Sequence, residues 1–334
     1  MAHPYKVVSY ITDRYDEILP EKLDLSGITH VNYGFLFLRA DDVFVRRPEF
    51  LELVSKTCKE QGVKLLASLQ QWGGQRFDER CRTEEARRTL AAQVREVVEK
   101  YDLDGIDVDW EYPGYNLRTG EEIADFKDEY YILFMQALRD VLPGKLLTIA
   151  HGGEPRYWQH TDFASLHPIL DYINLMGYDF NWPTLGSSHQ SNLYPGSVGA
   201  AAEECRKLGV PGLSDDSAIR YYRSQGVPAE KINIGVPYYG YVAHQGPEGF
   251  LTYDKILELL ETDPHYRLEY DEAAHQSYVT KDGVFHIAFD DERTLAEKCR
   301  YVKENGLGGI MDWVYGHDPK GQARKIVARE LGIT

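Results

Sequence analysis

Eight short runs rich in β-branched and aromatic residues recur along this chain, and longer amphipathic stretches separate most of them. The runs are Lys6–Ile11, His30–Leu38, Lys64–Leu69, Gly105–Trp110, Leu146–His151, Tyr172–Tyr178, Ile232–Pro237 and Gly309–Trp313. Between them Pro48–Gln61, Thr83–Tyr101, Glu121–Leu142, Gly196–Leu208, Asp215–Gln225 and Thr294–Glu304 read as helices. Phe50, Leu51, Val54 and Cys58 keep the helical period in the first of these. Gly62, Gly144 and Gly306 mark helix ends ahead of the next strand. Strands joined by helical crossovers pair in parallel, and eight is the number that closes a TIM barrel. An open doubly wound sheet competes, but it takes a glycine-rich turn after its first strand, where Thr12, Asp13 and Arg14 stand here. The predicted fold is therefore α/β, a TIM (β/α)8 barrel.

One segment breaks the alternation. From His244 to Ala288 a helix-like piece, Tyr253–Glu261, precedes Tyr266–Tyr270, Ser277–Thr280 and Val284–Ala288. Lys281-Asp282-Gly283 between the last two is a hairpin signal. The pattern predicts a short α+β insertion between strands seven and eight. Residues 1–334 thus read as a single catalytic barrel domain, with 244–288 as the insertion and no repeat or interdomain linker.

The fourth run carries the chemistry. Asp104 to Gly114 reads DGIDVDWEYPG, with Asp107, Asp109 and Glu111 at two-residue spacing. Side chains alternate along a strand, so the three carboxylates share a face at roughly 6.5–7 Å intervals, while Ile106 and Val108 face the other way. Burying like charges in a row costs folding energy and raises at least one pKa. Acid catalysis near neutral pH uses such an arrangement, with one carboxyl protonated beside others that are ionised. The catalytic residues of a TIM barrel sit at the C-terminal strand ends, and Glu111 falls at that tip. Asp104 is out of phase with the three and reads as a structural cap on nearby backbone.

A net charge of −16 sets the chain against nucleic acid and anionic membranes and favours a neutral or cationic substrate. No run is long enough to span a membrane. The 24 tyrosines suit sugar rings, with their apolar face and polar handle, although many serve a core equally well. Cys58, Cys81, Cys205 and Cys299 are far apart and read as reduced structural thiols, and His151, His160 and His167 are scattered. No metal site and no cofactor are expected. The opening MAHPYKVVSYITDRY runs directly into a strand, so no signal peptide is expected within this chain.

DGIDVDWE matches the DxxDxDxE signature of glycoside hydrolase family 18, and the following YPG resembles its chitinase-like continuation. THVNYGF at Thr29–Phe35, DYINLMGYD at Asp171–Asp179, INIGVPYYG at Ile232–Gly240 and GLGGIMDW at Gly306–Trp313 are similar to that family's second, sixth, seventh and eighth strands. The family comprises chitinases and related endo-β-N-acetylglucosaminidases. The resemblance implies a retaining, substrate-assisted hydrolysis of β-1,4-linked N-acetylglucosamine chains, with the substrate's acetamido carbonyl as nucleophile, an exception to the usual two-carboxylate scheme. It implies Glu111 as general acid and then base, Asp109 orienting the acetamido N–H, and Asp107 beneath sharing a proton with it. Tyr178 is implied to bond the acetamido oxygen. Met176 and Asp179 would contact substrate, and Trp313 would floor the sugar subsite at the cleavage point. Tyr10 reads as lower cleft wall, with Tyr33 and Phe35 near it, and Tyr239 and Trp110 are further candidates for substrate contact. Trp72, Trp158 and Trp182 follow strand ends and join Trp110 as candidates for outer subsites.

Three departures stand out. Where the family has SxGG, Ser68-Leu69-Gln70-Gln71 precedes Trp72-Gly73-Gly74, which implies a longer or shifted loop and a changed cleft beside Asp107. Tyr241 stands where an arginine often follows Tyr-Gly, so a substrate contact is expected to be lost. The short insertion implies a lower wall and an open, endo-acting cleft. The expected partner is an N-acetylglucosamine oligo- or polysaccharide, bound by a monomer, and an extracellular location fits that substrate class. Alternatives are an endo-β-N-acetylglucosaminidase acting on N-glycan cores, a cell-wall glycan hydrolase, and a chitin-binding lectin. Family lectins typically lose the final glutamate of the signature, which is present here as Glu111.

Overall fold

A computed structural model describes residues 4–14, 22–71, 76–116, 119–158, 160–180, 188–196, 212–245 and 249–333. Eight strands form the barrel: Lys6–Thr12, His30–Leu38, Lys64–Gln70, Gly105–Asp109, Leu146–Gly152, Tyr172–Met176, Ile232–Pro237 and Gly309–Trp313. Each pairs in parallel with the next, and the eighth pairs with the first, so the ring closes. An added strand, Val43–Val45, runs antiparallel to the end of the second. Strands four and five approach so closely that a Cβ on Gly105 would lie 2.2 Å from the Leu146 carbonyl oxygen.

Alternation along each strand divides the interior from the outer layer. Leu65, Leu69, Ile106, Val108 and Ile149 join Leu90, Val94 and Leu138 of the helices in the main hydrophobic core. The barrel interior holds a second, smaller apolar cluster of Val8, Tyr10, Phe35, Tyr172, Met311 and Val314. The outer helices include Pro48–Gln61, Glu84–Lys100, Asp215–Ser224 and Glu292–Glu304, all close to the bounds read from the sequence. Thr83 caps the second of these by accepting from the Ala86 N–H, and Asp291 does the same for the last through Thr294. One helix begins later than expected, at Glu129. Its predicted first turn instead pairs Glu121–Glu122 with Tyr115–Asn116 in a hairpin, and Asp125 at φ 62° blocks a helix from running through. The expected helix over Gly196–Leu208 lies almost wholly outside the described residues. A helix at Gln322–Leu331, not anticipated, packs against Glu292–Glu304.

The insertion is a five-stranded antiparallel sheet in the order Phe250–Thr252, Tyr239–Val242, Val284–Ala288, Gln276–Lys281, Tyr266–Asp271, with the helix Tyr253–Thr262. The sheet takes in Tyr239–Val242, ahead of His244, so only Tyr238 separates it from barrel strand seven. Below it lies a buried ion cluster. Lys298 Nζ stands 3.1 Å from Asp215 Oδ2, 2.8 Å from Asp290 Oδ2 and 2.5 Å from Ser191 Oγ. These contacts tie the insertion's exit to the start of the helix after strand six.

Candidate active site

The strand through Asp107 and Asp109 is flanked by Ser68 and Gln70 on strand three and by Thr148 and Ala150 on strand five. Its inward side chains therefore meet polar neighbours, while Ile106 and Val108 fill the outer core. Asp107 is fully buried, and four donors converge on it. Tyr10 Oη (2.6 Å) and Ser68 Oγ (2.8 Å) reach Oδ2, while Thr148 Oγ1 (2.5 Å) and Asn174 Nδ2 (3.4 Å) reach Oδ1. Burial pushes this carboxyl's pKa up, and the four hydrogen bonds oppose the shift.

Asp109 is held differently. Gln70 Nε2 donates to Asp109 Oδ2 at 2.8 Å and to Glu111 Oε1 at 3.2 Å. Asp109 Oδ1 is buried and without a hydrogen-bond partner. Burial pushes Asp109 well above the ordinary carboxylate range, and the charges of Glu111 and Asp107 add to it. Glu111 is raised as well, mainly by loss of water, against donors on Tyr112 and Gln70. The upward push is the stronger on Asp109, and each carboxyl's charge acts on the other, so the two titrate as a pair. The hydrogen bonds of Asp107 and Asp109 go to different donors, although the charge of Asp107 still acts on Asp109. Asp107's oxygens are taken by its four donors, and Gln70 draws Asp109 toward Glu111.

These groups open onto a cavity of about 300 Å³ at the C-terminal mouth of the barrel. Asp109, Glu111, Tyr10, Tyr178, Met176, Asp179 and Trp313 all line it. Trp313 is half-buried, stacked on Phe35 with centroids 5.7 Å apart and edge-on to Tyr10 at 5.5 Å, so one ring face is left to the cavity. Asp179 adopts φ 61°, and its Oδ1 accepts from Tyr239 Oη at 2.6 Å. Burial raises Asp179 to about 6, and the Tyr239 hydroxyl opposes the rise. Three cis peptide bonds, Gly34–Phe35, Glu111–Tyr112 and Trp313–Val314, involve residues that line this cavity.

The match to known proteins agrees with this arrangement. The model of the glycosyl hydrolases family 18 matches residues 6–318. The chain belongs to that family. It is, by family, a glycoside hydrolase. Chitinase A1 of Niallia circulans is 28% identical over 290 residues, which cover 77% of this chain and 41% of that enzyme. Chitinase 1 of Aphanocladium album is 26% identical over 368 residues, covering 94% and 81%. Among solved structures, a family 18 N-acetylglucosaminidase from Paenibacillus barengoltzii is 28% identical, with a TM-score of 0.84 over 98% of this chain and 99% of that one.

Not every expected residue of this family 18 barrel reaches the cavity. Trp110, the first residue past strand four, continues the outward parity of Ile106 and Val108, buried against Phe77 at 4.8 Å and edge-on to Tyr131 at 5.2 Å. Strand alternation excludes it from substrate contact, and its place is the outer core. Trp158 is likewise buried, stacked on Tyr221 at 4.4 Å, with Nε1 donating to the Gly152 carbonyl. Trp72 and Trp182 lie outside the described residues. Tyr239 is buried and does not line the cavity, but its hydroxyl bonds Asp179 and its ring packs edge-on to Tyr178 at 6.4 Å. Strand three is in register with strand four through Gln70, so the departure at SLQQ is one of side chains at this point, not a shift. Gln70 meets Asp109 and Glu111, and Ser68 is the residue beside Asp107. Asp104 Oδ2 accepts from the Leu65 N–H at 2.9 Å, a structural role. Tyr112, Glu154 and Tyr157, with Gly152 and Gly153, also line the cavity and were not anticipated. Tyr112 and Tyr157 stack at 3.5 Å. Their signal was available in the segments that follow strands four and five, where a barrel places its substrate-facing loops.

Proposed function

We propose that the chain hydrolyses β-1,4-linked N-acetylglucosamine chains, chitin or chitooligosaccharides, with retention and with the substrate's acetamido group as nucleophile. The observation that carries this reading is that Asp109, the last residue of strand four, and Glu111, two residues beyond it, meet on one Gln70 amide and so stand on the same side of a cavity that Trp313 also lines. A glycosidase that works with two enzymic carboxyls sets them on either side of the scissile bond. With both on one side, the opposite face of the sugar is free for its own 2-acetamido carbonyl to attack the anomeric carbon. Two other carboxyls, Asp179 and Glu154, line the cavity, and Asp179 is engaged by the Tyr239 hydroxyl.

The proton inventory of the empty site fits that sequence of steps. The acetamido N–H arrives as a donor to Asp109 and stabilises its ionised form, so the proton moves to Glu111. Glu111 then protonates the glycosidic oxygen as the bond to the anomeric carbon breaks, and the acetamido oxygen closes an oxazolinium ring. Asp109 stabilises the positive charge that develops on that ring, and Asp107 stays below as a fixed negative charge. Glu111, now ionised, takes a proton from the incoming water, which opens the ring and restores the starting configuration. In this reading Tyr178 donates to the acetamido oxygen, Trp313 lies under the pyranose, and Met176 and Asp179 meet the acetamido group.

Chitohexaose, with products resolved by length and anomer, tests the reading. The expected result is shorter N-acetylglucosamine oligomers released as the β-anomer, and a glycoprotein carrying high-mannose chains left uncut. Release of the α-anomer, or cleavage of the glycoprotein alone, would overturn it. A second reading, stepwise removal of single sugars, draws support from the Paenibacillus N-acetylglucosaminidase, which this chain matches nearly end to end. Monosaccharide as the first product from the hexamer distinguishes it.

A further inference from the structure

Gln70 stands at the C-terminal end of strand three, directly across from Asp109 in the ladder. Its side chain is buried, and a single nitrogen donates to both carboxyls at 2.8 and 3.2 Å. None of the described residues lining the cavity is a cation. Among the described residues, the other titratable groups around the pair are Asp107, Asp179, Glu154 and the phenols of Tyr10, Tyr112 and Tyr178; none is a cation, and the carboxylates help hold the phenols un-ionised. Tyr112 and the Gln70 amide are the donors that favour the ionised form of Glu111, and Gln70 is the one that does so for Asp109.

We infer that Gln70 is a positioning residue: its amide clamps Asp109 and Glu111 together in the empty cavity and so selects which oxygen of Asp109 faces an incoming sugar. Asp109 Oδ2 and Glu111 Oε1 are committed to the clamp. Asp109 Oδ1 is left for the substrate, buried and unpartnered until an N–H arrives, while Glu111 also accepts from Tyr112. The roles of Asp109 and Glu111 rest on the proposed hydrolysis, but the clamp itself is a property of the free protein. Because the amide donates to the ionised forms, it also holds the titration of the pair lower than burial alone would set it. The carboxyl of Glu111 is thereby kept acidic enough to give up its proton in the chemical step.

Gln70→Met removes the donor and keeps an unbranched side chain of similar length. The carboxyl carbons of Asp109 and Glu111, labelled with 13C and assigned by comparison with Glu111→Gln, are titrated by NMR in the unliganded protein. The expected result is that both titrate at higher pH in Gln70→Met than in the parent. Superimposable titrations would overturn the inference whether or not the protein cleaves any sugar. In turnover on chitohexaose, kcat should fall about tenfold with KM little changed, and the alkaline limb of the pH–rate profile should move up. A rise in KM with an unmoved profile would make Gln70 a mere wall residue and also overturn the inference. Gln70→Gly, which adds no bulk, carries the same expectations and replaces Gln70→Met should that variant misfold. An inactive parent protein would defeat the hydrolase reading while the titration still decides the role of Gln70.

Discussion

Glu111 can be tested without disturbing its neighbours, since glutamine keeps its shape and loses its proton. Glu111→Gln should lower kcat by about 10²–10⁴-fold, the usual worth of a general acid, while oligosaccharide binding measured by calorimetry is retained. Full turnover in that variant would remove the glutamate from the mechanism. Tyr239 is a subtler case, because it stands behind the cavity and its hydroxyl acts on Asp179. Tyr239→Phe removes a donor to the ionised carboxylate, so the pKa of Asp179 should climb above its present value of about 6. A hydrogen bond to a charged group is worth about 1.5–3 kcal/mol, so kcat/KM near neutral pH should drop roughly tenfold. Near about pH 5, where Asp179 is protonated in both proteins, the gap should close. Kinetics across that range measure it, and a deficit constant with pH would assign Tyr239 to packing instead.

At the scale of the strand, period-two alternation settles most of what matters. It brings Asp107 and Asp109 inward with Ser68 and Thr148, and the same rule turns Trp110 outward, although the residue type invites a role at a sugar. That correction was available in the strand pattern itself, since Trp110 shares the parity of Ile106 and Val108. The barrel, the eight strands and Glu111 at the mouth were legible because each depends on local pattern or on strand number. The Gln70 clamp was not, because it joins strands whose register no single sequence states. Tyr112, Glu154 and Tyr157 were missed for a related reason: irregular segments after strand ends carry no period. Strand packing yields its own prediction at Gly235. A Cβ there would stand 2.3 Å from the Leu175 carbonyl oxygen and 2.9 Å from Cε1 of Tyr178. Gly235→Ala should therefore destabilise the protein by about 1–3 kcal/mol and displace Tyr178, lowering activity beyond what the loss of stability explains. Thermal unfolding and kinetics on the same sample separate the two effects.

For the molecule as a whole, the buried cluster of Lys298, Asp215 and Asp290 is the electrostatic stake between barrel and insertion. Burial already raises Asp215 to about 8, and the ammonium of Lys298 opposes that rise. Lys298→Met leaves two buried carboxyls uncompensated, and a loss of about 3–5 kcal/mol near neutral pH is expected. The folded variant must keep protons that the unfolded chain releases above its ordinary aspartate pKa. Its deficit should therefore grow as pH rises and shrink toward about pH 4. Urea unfolding at several pH values tests this, and a pH-independent deficit would point to lost packing alone. The sheet that this cluster anchors has a consequence for anyone reshaping the enzyme. Its second strand starts at Tyr239, whose hydroxyl holds Asp179, and that strand is flanked by Phe250–Thr252 and Val284–Ala288. Excising the lobe at His244 to widen the groove would strip both neighbours from Tyr239–Val242 and unseat that hydroxyl. A graft or deletion meant only to alter substrate length would thus retune the acidity of the catalytic mouth, and the neutral seam for such surgery lies further out, at the Lys281-Asp282-Gly283 turn.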